Sequence, residues 1–480
     1  MSSADALPNP LLNAAIARPH HPYVDDLTYG ELCHLVQARA VALSDLKVMW
    51  RGARVGLCGP YDERWIEWAW ALNWLGAVVA PMKSEATEQE RARVTGRLSL
   101  TMVITLTPGE PAYTASGEAL PEVTRPLRGN SVALLLDGSP APEPWGWERE
   151  LFALTTSGTT GEPKPISLTT RALTMSAFGS MVRLGHLASD TWLSCLPLHH
   201  VGGLSIFTRA LLQQTSVRRC APRGELLASA LASGAYPLCS LTPTLLSETM
   251  DALEALSDAE RSGLSQVRAL LIGGARTPQQ VWERATRLGL PVRLTWGMSE
   301  AASQVCTQLE PSPPGGALPP LPFQQVSLSD LGTLIVRSPT TEQGSYETQD
   351  LGDIDERGWV SVRGRVDDVI ISGGLNIDPR EVEERLLAHP SVEDVGVVGV
   401  PDPRWGQALH AHLRLKRGGL CPSDEQLRAW CHEALSPYKC PKAFFWRDAL
   451  PRDPLGKLLR RHLTRPPQSD EGGLMSGEIP

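Results

Sequence analysis

The strongest constraint on this chain is its rhythm. Until about residue 330, short apolar runs alternate with longer amphipathic ones. RVGLCGP (54–60) reads as a strand closing in a turn, and ERWIEWAWALNWLGAVVAPM (63–82) as a helix, a break at Gly76 and a second strand. TMVITL, VRALLIGG and PVRLTWG repeat the strand theme, with helical stretches such as PQQVWERATRLG between them. Such alternation predicts parallel sheets covered by helices, because a parallel pair needs a long crossover and an amphipathic helix supplies one.

The texture then changes. GTLIVRS and GWVSVRG are short β-rich runs with Gly turns, as in an antiparallel piece. They are followed by DDVIIS, a helix in DPREVEERLLAHP, strands in VEDVGVVGVP and ALHAHLRLK, and a helix in SDEQLRAWCHEAL, enough for an independent α+β domain. With 480 residues the chain is too long for one ordinary core. The expected organisation is a large N-terminal body over 1–363, a charged joint GRVDD at 364–368, a small domain over 369–465, and a disordered polar tail over 466–480.

Bulk chemistry excludes several functions. A net charge of −8 opposes approach to nucleic-acid phosphates, so no nucleic-acid partner is expected. No uninterrupted apolar run approaches the roughly 18–20 residues that span a bilayer, so no integral membrane association is expected. The N-terminus lacks a charged segment followed by an apolar one, so a secretory signal is not expected. Nine scattered cysteines without a CxxC pair or metal-like spacing suit reduced thiols. The expected address is the cytoplasm.

TTSGTTGEPKP (155–165) directly follows the apolar ELFAL. It is not a Walker A loop, since no Gly-Lys-Ser/Thr triplet follows Gly158. Glycines permit close backbone approach, hydroxyls and amides donate to oxygen, and Lys164 adds charge, so it reads as a loop for a polyanion or as a plain connector.

Its companions decide between the two. PLHHVGGL (197–204), LIGGA (271–275), WGMSE (296–300), TQDLGDIDERG (348–358), GRVDD (364–368) and PRDPLGKLLRR (451–461) follow in order. The series resembles the adenylate-forming superfamily of acyl-CoA synthetases and adenylation domains, over about Leu27 to Arg461. The resemblance implies a large layered α/β body with a β-rich subdomain and a small mobile α+β domain. It implies ATP, Mg²⁺ and coenzyme A as cofactors and co-substrates, and a carboxylic acid as substrate. The acid would be activated as acyl-AMP, with pyrophosphate leaving, and a thiol would then displace AMP.

Residue roles follow from the same resemblance. Thr155, Thr156, Ser157, Gly158, Thr159, Thr160 and Gly161, with Lys164, would close over the ATP phosphates. Glu300 would help hold Mg²⁺, a hard carboxylate for a hard ion. Ser299 would donate to the α-phosphate or acyl carboxylate, and Trp296, beside Gly297, stands where a tyrosine usually stacks on adenine. Gly273, Gly274 and Ala275 would run along the adenine. Asp350 would accept from the ribose hydroxyls, with Asp353 as runner-up, although Gln349 replaces the customary glycine of that motif. Arg365 would reach the ribose or phosphate, and Lys457 would bridge carboxylate and α-phosphate. Asp367 would be the hinge, and the loop with Gly373 and Gly374 would face the thiol after rotation.

For the acid, PLHHVGGLSIF and GMSEAASQV resemble the superfamily branch that joins o-succinylbenzoate to CoA on the route to menaquinone. His200 would be the gate between ATP and acyl sites, or a satisfied structural histidine. Arg209 would bind the distal carboxylate, with Ser303 and Gln304 beside it; alternatively Arg209 follows its helix out to water. Also open are a medium-chain or aryl-acid CoA ligase, a stand-alone enzyme loading a carrier protein, a catalytically inert nucleotide-binding regulator, and a homodimer.

Overall fold

The computed structural model describes residues 6–46, 48–114, 116–120, 139–157, 163–453 and 456–464. The expected polar tail at 466–480 lies outside them, as do Gly158, Thr159, Thr160 and Gly161. The chain divides into two units. The first holds Met1–Ser327, Ile335–Glu347 and Ile354–Val360; the second holds Leu328–Leu334, Thr348–Asp353 and Ser361 onward.

The alternating half of the sequence folds into two sheets of the first unit. One has eight strands in the order Ser303–Thr307, Val292–Met298, Ala269–Ile272, Leu238–Leu241, Thr191–Ser194, Ser216–Arg219, Pro22–Val24 and Leu27–Thr28. Its middle is parallel from Val292–Met298 to Pro22–Val24, and only the two outermost strands run antiparallel to their neighbours. The other has six strands, ordered Pro163–Thr169, Glu150–Ser157, Val78–Met82, Arg54–Cys58, Met102–Thr105 and Tyr113–Thr114.

The helix Glu63–Trp74 shows why the packing is dense here. Asp62 caps it by accepting from the Trp65 amide at 2.9 Å, and Trp65, Trp68, Trp70 and Trp74 are all buried. An amphipathic surface helix would expose one face; this one is covered on all sides. Its Glu67 is buried too, paired with Arg39 at 2.7 Å, whose guanidinium lies 4.2 Å from the Trp68 ring.

The second unit carries a five-stranded sheet ordered Leu375–Ile377, Ile370–Ser372, Gly406–Leu415, Val392–Asp402, with Ala443–Trp446 parallel to Gly406–Leu415. The helices Pro379–Leu387 and Asp424–His432 contribute Val382, Leu386, Leu427 and Cys431 to its own core, beside Val397, Leu409 and Ala411. Asp378 and Ser423 cap these helices.

Candidate functional site

TTSGTTGEPKP is not a loop throughout. Thr155, Thr156 and Ser157 end the strand Glu150–Ser157, and Lys164 lies within Pro163–Thr169, antiparallel to it, with Lys164 opposite Thr156 and Pro165 opposite Thr155. Pro163 and Pro165 would be disfavoured in a central strand, since neither can donate to a ladder. They are tolerated because Pro163–Thr169 is the edge strand of its sheet. The Lys164 side chain therefore departs from a hydrogen-bonded ladder.

A second strand pair brings Glu300 to it. Val292–Met298 turns through Ser299–Ala301 into Ser303–Thr307, with a register shift between Trp296 and Gly297. A Cβ on Gly297 would lie 1.8 Å from the Ser303 carbonyl oxygen, so only glycine fits. Ala302 and Ser303 take φ of 51° and 105°, a costly conformation for residues with side chains. The turn leaves Glu300 half-buried and facing Lys164, with Nζ 3.8 Å from Oε1.

Tyr346 lies between them. Lys164 Nζ donates to the Tyr346 hydroxyl at 3.2 Å, and that hydroxyl donates to Glu300 Oε1 at 3.1 Å. The ammonium also lies 4.8 Å from the Tyr346 ring centroid. Partial burial works against the Lys164 charge, but the Tyr346 hydroxyl and the Glu300 carboxylate outweigh it and raise the pKa. Burial and Glu300 push the Tyr346 phenol up as well. Tyr346 escaped the sequence reading; its only signal was its place four residues before Asp350.

The remaining candidates fall into separate groups. Gly273, Gly274 and Ala275 follow the strand Ala269–Ile272, and a Cβ on Gly273 would meet Thr295 Cγ2 at 2.7 Å. Trp296 and Ser299 are half-buried. His200 precedes the helix Val201–Gln213, its ring 4.3 Å from that of His199. The Tyr61 hydroxyl donates to the Met82 carbonyl at 3.0 Å, so its oxygen accepts from His199 Nδ1–H at 2.8 Å. Burial, with His200 and Lys83 nearby, pushes the His199 pKa down to about 3.

Arg209 does not reach water. It is 2% exposed, because its helix is covered on the face that carries it, so the reading as a solvent-seeking arginine is corrected. Its Nη2 donates to Ser303 Oγ at 3.2 Å, and the Ser205 hydroxyl lies 3.3 Å from both that oxygen and the Gly202 carbonyl. Among the described residues Arg209 has no carboxylate partner, and its Nε has no hydrogen-bond partner. Burial lowers its pKa. Gln304 stays out of this group: its amide nitrogen donates to Thr307 Oγ1 at 2.9 Å.

In the second unit, Arg365 Nη1 donates to Asp350 Oδ1 at 3.3 Å, and Nη2 lies 3.5 Å from Asp367 Oδ2. Asp353 instead meets Arg363 at 3.0 Å. Gly373 and Gly374, with φ of 59° and 81°, form the two-residue turn between Ile370–Ser372 and Leu375–Ile377. Lys457 is exposed, and its amide donates to Asp453 Oδ1 at 2.9 Å.

The class of enzyme follows from likeness to known proteins. Residues 13–345 match the AMP-binding enzyme family and residues 381–457 match its C-terminal domain, so the chain belongs to the AMP-binding enzyme family. It is 28% identical to a 2-succinylbenzoate–CoA ligase of Bacillus cereus, across 96% of this chain and 98% of that one. A ligase of the same name from Geobacillus kaustophilus is 36% identical over 338 residues, covering 65% of this chain and 68% of that one. The fold matches Bacillus subtilis o-succinylbenzoate–CoA synthetase in complex with its acyl-adenylate intermediate, at TM-score 0.81 and 25% identity, across 97% and 99% of the two chains. The same enzyme with ATP and magnesium matches at TM-score 0.79 and 26% identity, across 95% and 99%.

Proposed function

We propose that this chain is an AMP-forming acid–thiol ligase that converts 2-succinylbenzoate to 2-succinylbenzoyl-CoA in menaquinone biosynthesis. A substrate carboxylate oxygen attacks the α-phosphorus of ATP and pyrophosphate leaves; the CoA thiol then attacks the acyl carbonyl and AMP leaves. The first step brings an anion to a triphosphate, so it needs cations and donors held in place beforehand. Lys164 and residues 155–161 serve the phosphates, Trp296 with residues 273–275 the adenine, Ser299 the α-phosphate or acyl carboxylate, and Asp350 with Arg365 the ribose. His200 gates the acyl site. Lys457 neutralises charge where carboxylate and α-phosphate meet, Asp367 is the hinge, and the Gly373–Gly374 turn serves the thiol.

Glu300 would help hold a magnesium ion, because a half-buried hard carboxylate suits an ion that needs only one or two protein carboxylates. Bound there, the ion would offset phosphate charge. No helix among the described residues is long and apolar enough to cross a membrane. We place the activity in the cytoplasm, where ATP and CoA are available.

The observation that carries the choice of acid is Arg209, a buried cation with no carboxylate partner among the described residues. Leaving such a charge buried is costly until an anion arrives. Ser303 Oγ accepts from Arg209, and its hydroxyl can also donate to an anion bound beside the guanidinium. Arginine and serine thus present donors suited to one carboxylate, the benzoate group of the substrate. Arg209→Ala is expected to raise KM for 2-succinylbenzoate about 10- to 100-fold while leaving KM for ATP unchanged, as for loss of one charge-assisted pair. Equal losses for an acid lacking the ring carboxylate would refute the assignment. A thiol comparison between CoA and a carrier protein tests the acceptor.

A further inference from the structure

We propose that Trp192 is a positioning residue for acid selectivity, holding the Arg209 guanidinium where it meets the distal carboxylate. The proposal rests on the reading of Arg209 above.

An arginine side chain has many rotamers, and a buried one without an anion lacks the ion pair that would select one. Here the anion arrives with the substrate, so the guanidinium must be oriented by neutral groups beforehand. Ser303 supplies one hydrogen bond. The other restraint is aromatic: the Arg209 guanidinium carbon lies 5.5 Å from the Trp192 ring centroid. A ring face attracts the cation and leaves its N–H fork available for a carboxylate.

The tryptophan is itself immobilised. It lies in Thr191–Ser194 inside the eight-stranded sheet, opposite Val217 on one side and Leu238 on the other, and is 5% exposed. The His186 ring stands edge-on to it, at 5.2 Å and 80°. His186 Nδ1 pairs with Gln213 Oε1, and Gln213 Nε2 donates to the Ala177 carbonyl at 3.1 Å. The nearby acid is occupied: Asp190 pairs with Arg268 and accepts from the Leu187 amide at 2.8 Å, so it does not draw Arg209 away. A tier of neutral groups thus runs from Gln213 through His186 and Trp192 to the arginine.

The test compares 2-succinylbenzoate with 3-benzoylpropanoate, the same acid without its ring carboxylate, by acid-dependent pyrophosphate exchange in the full chain. Trp192→Leu is expected to raise KM for the dicarboxylate about tenfold, with KM for the monocarboxylate and for ATP within about twofold. Trp192→Phe, which keeps a ring face and the fold, should restore most of the selectivity, with a residual loss of about threefold. In an Arg209→Ala background, Trp192→Leu should have no further effect on selectivity. Equal losses for both acids in Trp192→Leu, or full selectivity in both Trp192 variants while Arg209→Ala loses it, would overturn the role of Trp192 and leave Arg209 standing. Unchanged selectivity in Arg209→Ala would instead remove the reading of the arginine, and this proposal with it.

Discussion

Tyr346 donates its phenolic proton to Glu300 Oε1 at 3.1 Å, although 46 residues separate the two in sequence. The same phenol accepts from Lys164, so it holds the ammonium 3.8 Å from the carboxylate, paired with it but short of a direct hydrogen bond. Tyr346→Phe should let Lys164 collapse onto Glu300. The expected outcome is a rise of about tenfold in the ATP and Mg²⁺ concentrations needed for half-maximal adenylation, as for loss of one hydrogen bond to a charged group. Thermal stability should change little, and steady-state titration of each ligand checks it.

Gly297→Ala tests the turn that presents Glu300. Its Cβ would overlap the Ser303 carbonyl oxygen at 1.8 Å, and that contact is backbone, which cannot swing aside. The strand pair must separate, with a stability loss of about 2–4 kcal/mol and adenylation reduced at least tenfold in whatever remains folded. Urea unfolding followed by tryptophan fluorescence measures the first. A stable, active variant would show that the turn can shift at no cost.

Lys457→Ala and Asp367→Pro should separate the two half-reactions. The lysine is expected to matter only in adenylation, where its loss should slow acyl-AMP formation by about 10²–10³ or more. Thioester formation from supplied acyl-AMP should be nearly intact. Proline at 367 fixes φ near −65° and should leave adenylation while blocking transfer to CoA. Single-turnover assays with acyl-AMP and CoA supplied separately read each step. Equal damage to both steps by Lys457→Ala would show that one arrangement serves both.

Acid should destabilise the protein before its carboxylates titrate. Burial, chiefly, pushes His186 and His412 down to about 4 and His199 down to about 3. Below pH 6.5 the unfolded chain takes up protons that the folded chain refuses, so stability is complete above that pH and falls as pH drops toward 4. His412 is fully buried, and its Nδ1 accepts from Arg447 Nε at 2.9 Å, a bond that protonation breaks. It alone should cost about 3 kcal/mol at pH 4. Urea midpoints between pH 7 and pH 4.5 should fall, and His412→Gln should flatten that slope.

What the sequence by itself determined is the order of strands and helices and the series of glycine, hydroxyl and charged motifs. Both are local: period-2 and period-3.6 patterning, caps and turn glycines act over a few residues, as at Asp62, Gly297 and the Gly373–Gly374 turn. The strand character of Thr155–Ser157 and of Lys164 was less legible, because prolines and glycines read as loop until the edge position in the sheet is known. Three relationships were decided by tertiary structure alone. Tyr346 reaches Lys164 across 182 residues, Arg209 reaches Ser303 across 94, and Trp192 faces Arg209 only because a central strand and a helix pack together. An arginine in an apolar helix has the same local pattern whether its head reaches water or is sealed in. Only the packing of neighbouring elements closes the route to water, and a buried cation without its anion is a property of that packing.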